Sequence, residues 1–303
     1  MSDYSIQTKN LQKRYGKKQA LENLDLALHG DQIIGLIGAN GSGKTTFFKM
    51  CVGLESITGG TIRILGGDPW KDMSIRSEII YSMHDLPVVP TEKLKNILQY
   101  YEIAYPHFDR EFADKMMDLF GLPRKKSCKQ LSQGTKSLFH FICAMAARCQ
   151  VTLLDEPFIG IDIEKRKMAY EILLRDYMEH PRTFVISSHN LAELDGVLSE
   201  MVLIHQGKLV FYEDMDTVRE MLCRVSGSAE KITAFADGLF REQIIQRETG
   251  ELGDALILHG SAGGDLAVSA KQAGLEIEAV SPEDVCVYLT TMGKEKQLGA
   301  LWD

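Results

Sequence analysis

One segment of the 303-residue chain has the residue types and the spacing of a phosphate-binding loop. Residues 38–45 read Gly-Ala-Asn-Gly-Ser-Gly-Lys-Thr and fit the pattern G-x-x-x-x-G-K-[ST]. Glycines let the backbone curl so that its N–H groups point inward, and the positive end of a following helix adds to the attraction for anionic oxygens. Lys44 is expected to bridge the outer phosphates of a nucleoside triphosphate, and Thr45 is expected to hold Mg²⁺. The predicted phosphate-binding residues are Gly38, Ala39, Asn40, Gly41, Ser42, Gly43, Lys44, Thr45 and Thr46.

Two acidic residues, Asp155 and Glu156, follow the apolar run Val151–Leu154. This run is typical of a strand that is buried on both faces, and ligands of open α/β sheets bind at the C-terminal ends of such strands. We expect Asp155 to help hold Mg²⁺ and Glu156 to act as the general base that polarises the attacking water. On the pattern alone, two acids that cap the next helix are an alternative, but the phosphate loop favours the catalytic interpretation.

Four further segments accompany the phosphate loop and the acidic pair. They are the aromatic residue Tyr15, the pentapeptide Leu131–Thr135, the tripeptide Gly160–Asp162 and the histidine His189. Gly134 lies 21 residues before Asp155, and His189 lies 33 residues after Glu156, behind a predicted strand. In this order the segments resemble the adenine-stacking aromatic, the signature motif, the D-loop and the switch histidine of the ATP-binding cassette (ABC) proteins, which are the ATPase subunits of ABC transporters. The resemblance covers about residues 3–214.

The resemblance implies how the site would work. In the family, ATP is held between the phosphate loop of one subunit and the signature motif of a second, so Ser132 and the backbone of Gly134 would contact the γ-phosphate across a dimer interface. His189 would contact the γ-phosphate and sense its loss, and Lys44, Glu156 and His189 would form the catalytic group. ATP and Mg²⁺ are the implied cofactors. The implied partners are an integral membrane permease and a second cassette subunit, identical or different.

The sequence departs from the family pattern at three positions. His84 occupies the position where the family usually carries the glutamine of the Q-loop, and histidine changes its charge near neutral pH. The signature motif has Gln133 in place of the usual glycine and Thr135 in place of the usual glutamine. We expect His84 to belong to the nucleotide site and to alter the coupling between Mg²⁺, water and the permease, and we expect hydrolysis to persist at a lower rate.

The elements that must position these residues are those of an α/β fold. Short β-branched runs at residues 32–37, 151–154, 183–187 and 201–204 predict buried strands, which need crossover helices and therefore a sheet with a parallel part. Residues 91–148 are mostly helical in periodicity. The resemblance adds the fold class, a P-loop NTPase cassette with a RecA-like core, an antiparallel edge and a helical subdomain at about residues 85–150, within an ATP-binding domain of residues 1–214.

The remaining 89 residues, 215–303, differ in composition and carry 7 of the 8 net negative charges. Their apolar runs predict the order β-α-β-β-α-β, which is consistent with a small α+β accessory domain of the ferredoxin-like type. A last helix is expected to begin at Ser281-Pro282, a capping serine followed by proline. Two roles stay open for this acidic domain: a regulatory or dimer-stabilising function, or a passive extension.

Composition limits the classes of partner. With 34 Lys and Arg against 42 Asp and Glu the net charge is −8, so no nucleic acid partner is expected. Six cysteines show no Cys-x-x-Cys spacing, which predicts reduced structural thiols and no metal site built from them. Neither a run of about 20 apolar residues nor a signal sequence is present, so we expect a cytoplasmic protein that lies peripherally on the cytoplasmic face of the cell membrane through its permease.

These features predict an ATP-binding and ATP-hydrolysing subunit that dimerises around ATP and drives a separate permease. Export is the expected direction, because a single cassette with an extra C-terminal domain is similar to bacterial exporters. The alternative is a soluble cassette ATPase that acts as an ATP-gated clamp on ribosomes or nucleic acid. Such proteins typically resemble two fused cassettes or carry long coiled coils, whereas this chain has one phosphate loop and no sustained heptads. A small-molecule kinase does not explain Ser132, Gly134 and His189 together.

Overall fold

The computed structural model describes residues 4–83, 90–239, 241–250 and 253–291. The chain divides into two units, one of Met1–His189 with Val197–Tyr212 and one of Asn190–Gly196 with Glu213–Asp303. The boundary between Tyr212 and Glu213 lies close to residue 214, where the composition of the sequence changes. The composition gives no indication that the short segment Asn190–Gly196 belongs to the second unit. We propose that the two units are the two domains expected from the sequence.

The first unit contains an antiparallel sheet and a larger, mainly parallel sheet. Their strands are β1 (Tyr4–Tyr15), β2 (Lys18–His29), β3 (Ile33–Ile37), β4 (Gly59–Ile64), β5 (Ile79–Met83), β6 (Val151–Asp155), β7 (Thr183–Ser188), β8 (Glu200–His205) and β9 (Lys208–Asp214). The antiparallel sheet has the order β2-β1-β4, and the larger sheet has the order β5-β6-β7-β3-β8-β9. In the larger sheet, the five strands β5-β6-β7-β3-β8 each pair in parallel with their neighbours, which confirms the predicted parallel part.

Helices connect and cover the strands of the first unit. They are α1 (Lys44–Cys51), α2 (Met73–Ser77), α3 (Leu94–Ala104), α4 (Arg110–Leu119), α5 (Gln133–Ala146) and α6 (Ile163–Glu179). Within the described residues between β5 and β6, all regular structure is helical, as the periodicity predicts. Strands β3 and β6 are buried along their whole length, and the fully buried side chains of Phe48 on α1 and Leu153 on β6 belong to one core.

A buried ion network ties the helical region to α6. The Asp176 side chain, 3% exposed, contacts the guanidinium groups of both Arg148 and Arg182, the latter at 2.7 Å. Arg148 also reaches Asp109 at 3.3 Å, and Asp109 caps α4 by accepting from the backbone N–H of Phe112. Because each buried charge has an opposite partner, the network offsets the cost of removing these groups from water.

The second unit holds a four-stranded antiparallel sheet. Its elements are α7 (Met215–Arg219), β10 (Leu222–Gly227), α8 (Ala229–Asp237), β11 (Ile244–Gly250), β12 (Gly253–His259), α9 (Gly264–Gln272), β13 (Glu276–Ala279) and α10 (Pro282–Thr291). The strand order β11-β12-β10-β13 and the chain order β-α-β-β-α-β are those of a ferredoxin-like arrangement. Val225 and Leu256 on the sheet pack with Ile232 of α8, and Ser281 accepts from the backbone N–H of Asp284 at the start of α10.

None of the helices within the described residues combines the length and the apolarity needed to cross a bilayer. The six cysteines are all free thiols, and those at 51, 128, 143, 149 and 223 are buried.

Candidate nucleotide-binding site

The phosphate loop connects β3 to α1, and the helix begins at Lys44. The Lys44 ammonium donates to the carbonyl oxygens of Gly38 and, at 3.4 Å, of Ala39. Burial lowers the pKa of Lys44 below its ordinary value, while the negative charges of Glu156 and Asp155 oppose that shift. The ammonium thus lies in a poorly hydrated position beside two carboxylates and is suited to meet an anionic ligand.

Gly43 shows why this loop requires glycine. Its φ is +115°, and a β-carbon there would lie 2.6 Å from the Leu21 side chain and 2.8 Å from the Ala20 carbonyl oxygen. The backbone conformation and the close approach of β2 therefore both exclude any side chain. Ser42, the preceding residue, has a buried hydroxyl oxygen without a hydrogen-bond partner in the part of the chain that the structure describes. A phosphate oxygen in the loop would accept a hydrogen bond from this hydroxyl and so supply the missing partner.

A cavity of about 200 Å³ brings most of the predicted nucleotide-binding residues together. Its lining consists of Tyr15, Lys18, Ala20, Asn40, Gly41, Gly43, Lys44, Thr45, Thr46, Asp155 and Glu156. Lys18 and Ala20 were not predicted, and the register of the β1–β2 hairpin, in which Lys18 pairs with Tyr15, explains their presence. Gly38, Ala39 and Ser42 belong to the same loop but do not line this cavity.

Asp155 is held from both of its carboxylate oxygens. Oδ2 accepts from the Thr45 hydroxyl at 2.8 Å and from the Tyr81 hydroxyl at 2.9 Å, and Oδ1 accepts from the Ser187 hydroxyl at 2.6 Å. The hydroxyl and carboxylate oxygens of Thr45 and Asp155, the two predicted metal ligands, are the hard donors that Mg²⁺ prefers, so this pair fits the ion. Sequence reasoning missed Tyr81 and Ser187, although the parallel register that sets Asp155 beside Ser187 would have indicated the latter.

Glu156 and His189 form a second pair at the same edge of the sheet. The Nδ1 atom of His189 lies 2.9 Å from Oε1 and 3.0 Å from Oε2 of Glu156. Glu156 has a φ of +48°, a conformation that is rare for a residue with a side chain, and its N–H donates to Ser187 Oγ at 3.0 Å. Ser187 therefore contacts both acidic residues. His189 does not line the cavity itself but reaches it through Glu156.

The signature segment, Leu131–Thr135, does not line the cavity of its own chain. Ser132 is exposed and caps the N-terminus of α5 by accepting from the N–H of Thr135 at 3.3 Å, and the two hydroxyl groups lie 2.8 Å apart. Gly134 is buried against the D-loop, where a β-carbon would lie 2.1 Å from the Gly160 carbonyl oxygen. Neither Ser132 nor Gly134 lines the cavity.

Tyr15 presents an aromatic ring at the rim of the cavity. The residue is 43% exposed, and the Lys13 ammonium lies 4.8 Å from the ring centroid. Lys13 is itself fixed by the Ser56 carbonyl oxygen at 2.6 Å and by Glu55 at 2.9 Å. The ring is thus supported from within the chain while part of it stays accessible for stacking. His84, the predicted Q-loop residue, lies outside the described residues.

Comparison with known proteins places the chain in a family. A family model described as ABC transporter matches residues 21–159. The ABC transporter ATP-binding protein YtrB of Bacillus subtilis (strain 168) is 27% identical over 220 residues, which cover 73% of this chain and 75% of that protein. An uncharacterized ABC transporter ATP-binding protein of the same organism, YcbN, is 30% identical over 227 residues, which cover 71% of each chain.

A solved structure shares the cassette fold. It is the dimeric structure of a post-hydrolysis state of an ATP-binding cassette bound to ADP and Pi, with a TM-score of 0.61 and 20% sequence identity. The match covers 69% of this chain and 98% of that one. The likeness confirms the predicted P-loop cassette fold of the first unit, and the relatives confirm the resemblance drawn from the motifs. The chain therefore belongs to the ATP-binding proteins of ABC transporters and is an ATPase of that family.

Proposed function

We propose that the protein works as an ATP-dependent dimer, in which Ser132 and Gly134 of a second subunit complete each nucleotide site. The observation that carries the proposal is the distribution of the motifs: the phosphate loop and the acidic pair line one cavity, whereas Ser132 and Gly134 of the same chain do not. Ser132 stands exposed at the N-terminus of the 14-residue helix α5, where N–H groups attract anionic oxygens. A second cassette subunit, identical or different, would meet the γ-phosphate with this helix end.

Residues of the cavity, together with His189 beside it, carry the hydrolysis of ATP. Lys44 offsets the negative charge of the phosphates, and Glu156 orients the attacking water and accepts its proton. His189 keeps the Glu156 carboxylate in place through the 2.9 Å contact, while its half-exposed ring stays accessible to the γ-phosphate. Mg²⁺ held by Thr45 and Asp155 would supply the positive charge that the phosphate oxygens need in the transition state.

The permease needs a docking surface on the cassette, and an apolar groove of about 390 Å³ in the first unit offers one. Its lining residues come from the segment that follows α1, from α2, from β5, and from α3 with the residue that follows it. They are Val52, Leu54, Arg76, Ile79, Tyr81, Tyr100, Tyr101, Ala104 and Tyr105. Leu54 is 64% exposed and Tyr100 is 52% exposed. Apolar and tyrosine side chains that remain accessible in a groove favour an amphipathic helix of a partner protein.

We further propose that the complex lies on the cytoplasmic face of the cell membrane and that transport is outward. The second unit has its own sheet and its own apolar core, as expected for an accessory domain. A single cassette followed by such a domain supports export, because this arrangement is similar to that of bacterial exporters. The permease chain would then carry the substrate site.

The dimer is tested with the Glu156→Gln variant, which keeps the size of the side chain and removes its capacity as a base. We expect light scattering to show twice the monomer mass on addition of ATP and Mg²⁺, and a monomer without nucleotide. A Glu156→Gln, Lys44→Ala double variant is the matched control, because it lacks the phosphate contact and should stay monomeric. A Glu156→Gln protein that binds ATP and remains a monomer would overturn an ATP-dependent dimer of two identical chains.

The partner is tested by affinity capture from detergent-solubilised native membranes, with tagged Glu156→Gln protein and ATP as bait. Stoichiometric recovery of a multi-span membrane protein supports the permease, and its loss in a Tyr100→Glu variant would assign the groove. Recovery of ribosomes or nucleic acid without an integral membrane protein would overturn the transporter role and favour the soluble clamp.

A further inference from the structure

The hydroxyl group of Tyr81 makes a contact that none of the motifs accounts for. Tyr81 lies on β5, next to β6, and the two strands pair in parallel so that Met83 stands beside Asp155. Residues two apart on a strand share a face, so Tyr81 lies on the same side of the sheet as Asp155 and reaches along it. Its hydroxyl donates to Asp155 Oδ2 at 2.9 Å, and Met83 Sδ, at 3.4 Å, is the weaker competing acceptor.

We propose that Tyr81 is a positioning residue for the catalytic metal, which holds Asp155 in the orientation that the ion requires. The inference rests on the proposed role of Asp155 in holding Mg²⁺. Three hydroxyl groups fix the Asp155 carboxylate, and that of Thr45 is itself a proposed ligand of the ion. Among the residues that the structure describes, Tyr81 on Oδ2 and Ser187 on Oδ1 therefore remain to orient Asp155 once an ion is bound.

The surroundings of Tyr81 make its hydroxyl a fixed donor. The residue is 7% exposed, and its ring meets that of Phe48 on α1 edge to face, with centroids 6.0 Å apart. Because α1 also carries Thr45, the ring of Tyr81 and both proposed ligands belong to one packed unit.

The position of Tyr81 also connects two sites. The residue lines the groove proposed for the permease, while its hydroxyl holds Asp155. A side chain that joins a docking groove to a metal ligand gives a partner in the groove a direct route to the catalytic metal.

Tyr81→Phe tests the proposal, because it removes the hydroxyl and keeps the ring that packs on Phe48. The probe is Mn²⁺, titrated by electron paramagnetic resonance in the presence of a non-hydrolysable ATP analogue. We expect the variant to bind Mn²⁺ about 10-fold to 100-fold more weakly, as is typical when a hydrogen bond to a metal ligand is lost. Half-maximal ATPase activity should then need more Mg²⁺, while the KM for ATP at saturating Mg²⁺ stays unchanged.

Tyr288→Phe is the matched control. It removes another tyrosine–carboxylate hydrogen bond, 2.7 Å long and made to Glu248 in the second unit, and should leave Mn²⁺ affinity unchanged. Thermal unfolding shows whether Tyr81→Phe is folded, and the cation dependence of KM and kcat separates a positioning effect from a loss of folded protein.

The same titration distinguishes the inference from the proposed site. If Asp155→Asn weakens Mn²⁺ binding and folded Tyr81→Phe binds the ion as the wild type does, the role of Tyr81 is overturned and that of Asp155 stands. If Asp155→Asn leaves Mn²⁺ affinity unchanged, the metal site itself is wrong.

Discussion

The α-carbon of Gly134 faces the carbonyl oxygen of Gly160 so closely that a β-carbon on Gly134 would lie 2.1 Å away. The start of the signature helix α5 therefore packs directly on the D-loop of the same chain. This contact gives Gly134 a structural requirement for glycine that does not depend on a second subunit. It also brings the exposed Ser132, two residues before Gly134, close to the loop that follows Glu156.

Gly134→Ala should displace the D-loop, because the backbone carbonyl of Gly160 has no flexible end that can move aside. Overpacking of this kind costs about 1–3 kcal/mol, so we expect a lower urea midpoint together with a lower kcat. Gly196→Ala is the control, since a β-carbon there would meet no atom within 4 Å. Equal unfolding midpoints for the two variants would contradict the close approach.

Tyr15→Ala should weaken ATP binding through loss of the ring at the rim of the cavity. Stacking of a base on an aromatic side chain is worth about 1–3 kcal/mol, so the Kd for ATP should rise about 5-fold to 150-fold. Tyr15→Phe keeps the ring above Lys13 and should bind ATP as the wild type does. Fluorescence titration with a labelled ATP analogue measures both values, and a phenylalanine variant as weak as the alanine variant would argue against stacking.

Asp176→Ala should be among the most destabilising single changes in the first unit. The substitution removes the buried carboxylate that Arg182 pairs with and leaves Arg148 its contact with Asp109, and an unpaired buried charge costs about 3–5 kcal/mol. Asp216→Ala is the comparison, because Asp216 is 93% exposed in its pair with Arg219 and should leave the free energy of unfolding nearly unchanged. Urea denaturation followed by circular dichroism separates the two cases, and similar midpoints would show that the buried network contributes little.

The cysteines should be unreactive in the native protein at pH 8. Burial raises the pKa of Cys223 to about 11 and that of Cys286 to about 12, so both stay protonated well above that pH, and the thiolate is the reactive form. We expect iodoacetamide to modify neither residue within the time that modifies both in urea. Mass spectrometry of labelled peptides measures this, and labelling of native Cys223 at the rate of the unfolded chain would show that its burial is wrong.

Sequence reasoning predicts the parts of the site that are local in the chain. The phosphate loop lies within eight consecutive residues, and the Asp155–Glu156 pair follows a strand whose continuous apolar pattern is easily recognised. Ser187 and Tyr81 are different, because each reaches Asp155 from a neighbouring strand and only the sheet register brings them there. A single sequence carries no local signal for such contacts.

Only the family resemblance predicts the antiparallel edge, because the apolar residues there do not alternate regularly. Strands β1 and β2 have 12 residues each, but their pairing contains several register shifts, so the period of two is broken along both. The elements of the second unit are shorter and more regular, and their predicted order agrees with the structure. The segment Asn190–Gly196 joins that unit through Asp195, which pairs with Arg219 at 2.9 Å, a contact between residues 24 apart in the chain.

Complementation between two inactive variants tests the central claim, a nucleotide site built from two chains, most directly. Lys44→Ala removes the phosphate contact, and Ser132→Arg places a bulky side chain at the exposed start of α5, so neither variant alone should hydrolyse ATP. In a mixed dimer, the intact phosphate loop of the Ser132→Arg chain meets the intact signature motif of the Lys44→Ala chain. We predict that mixing the two purified variants restores ATPase activity, and a mixture as inactive as its components would contradict a site shared between two copies of this chain.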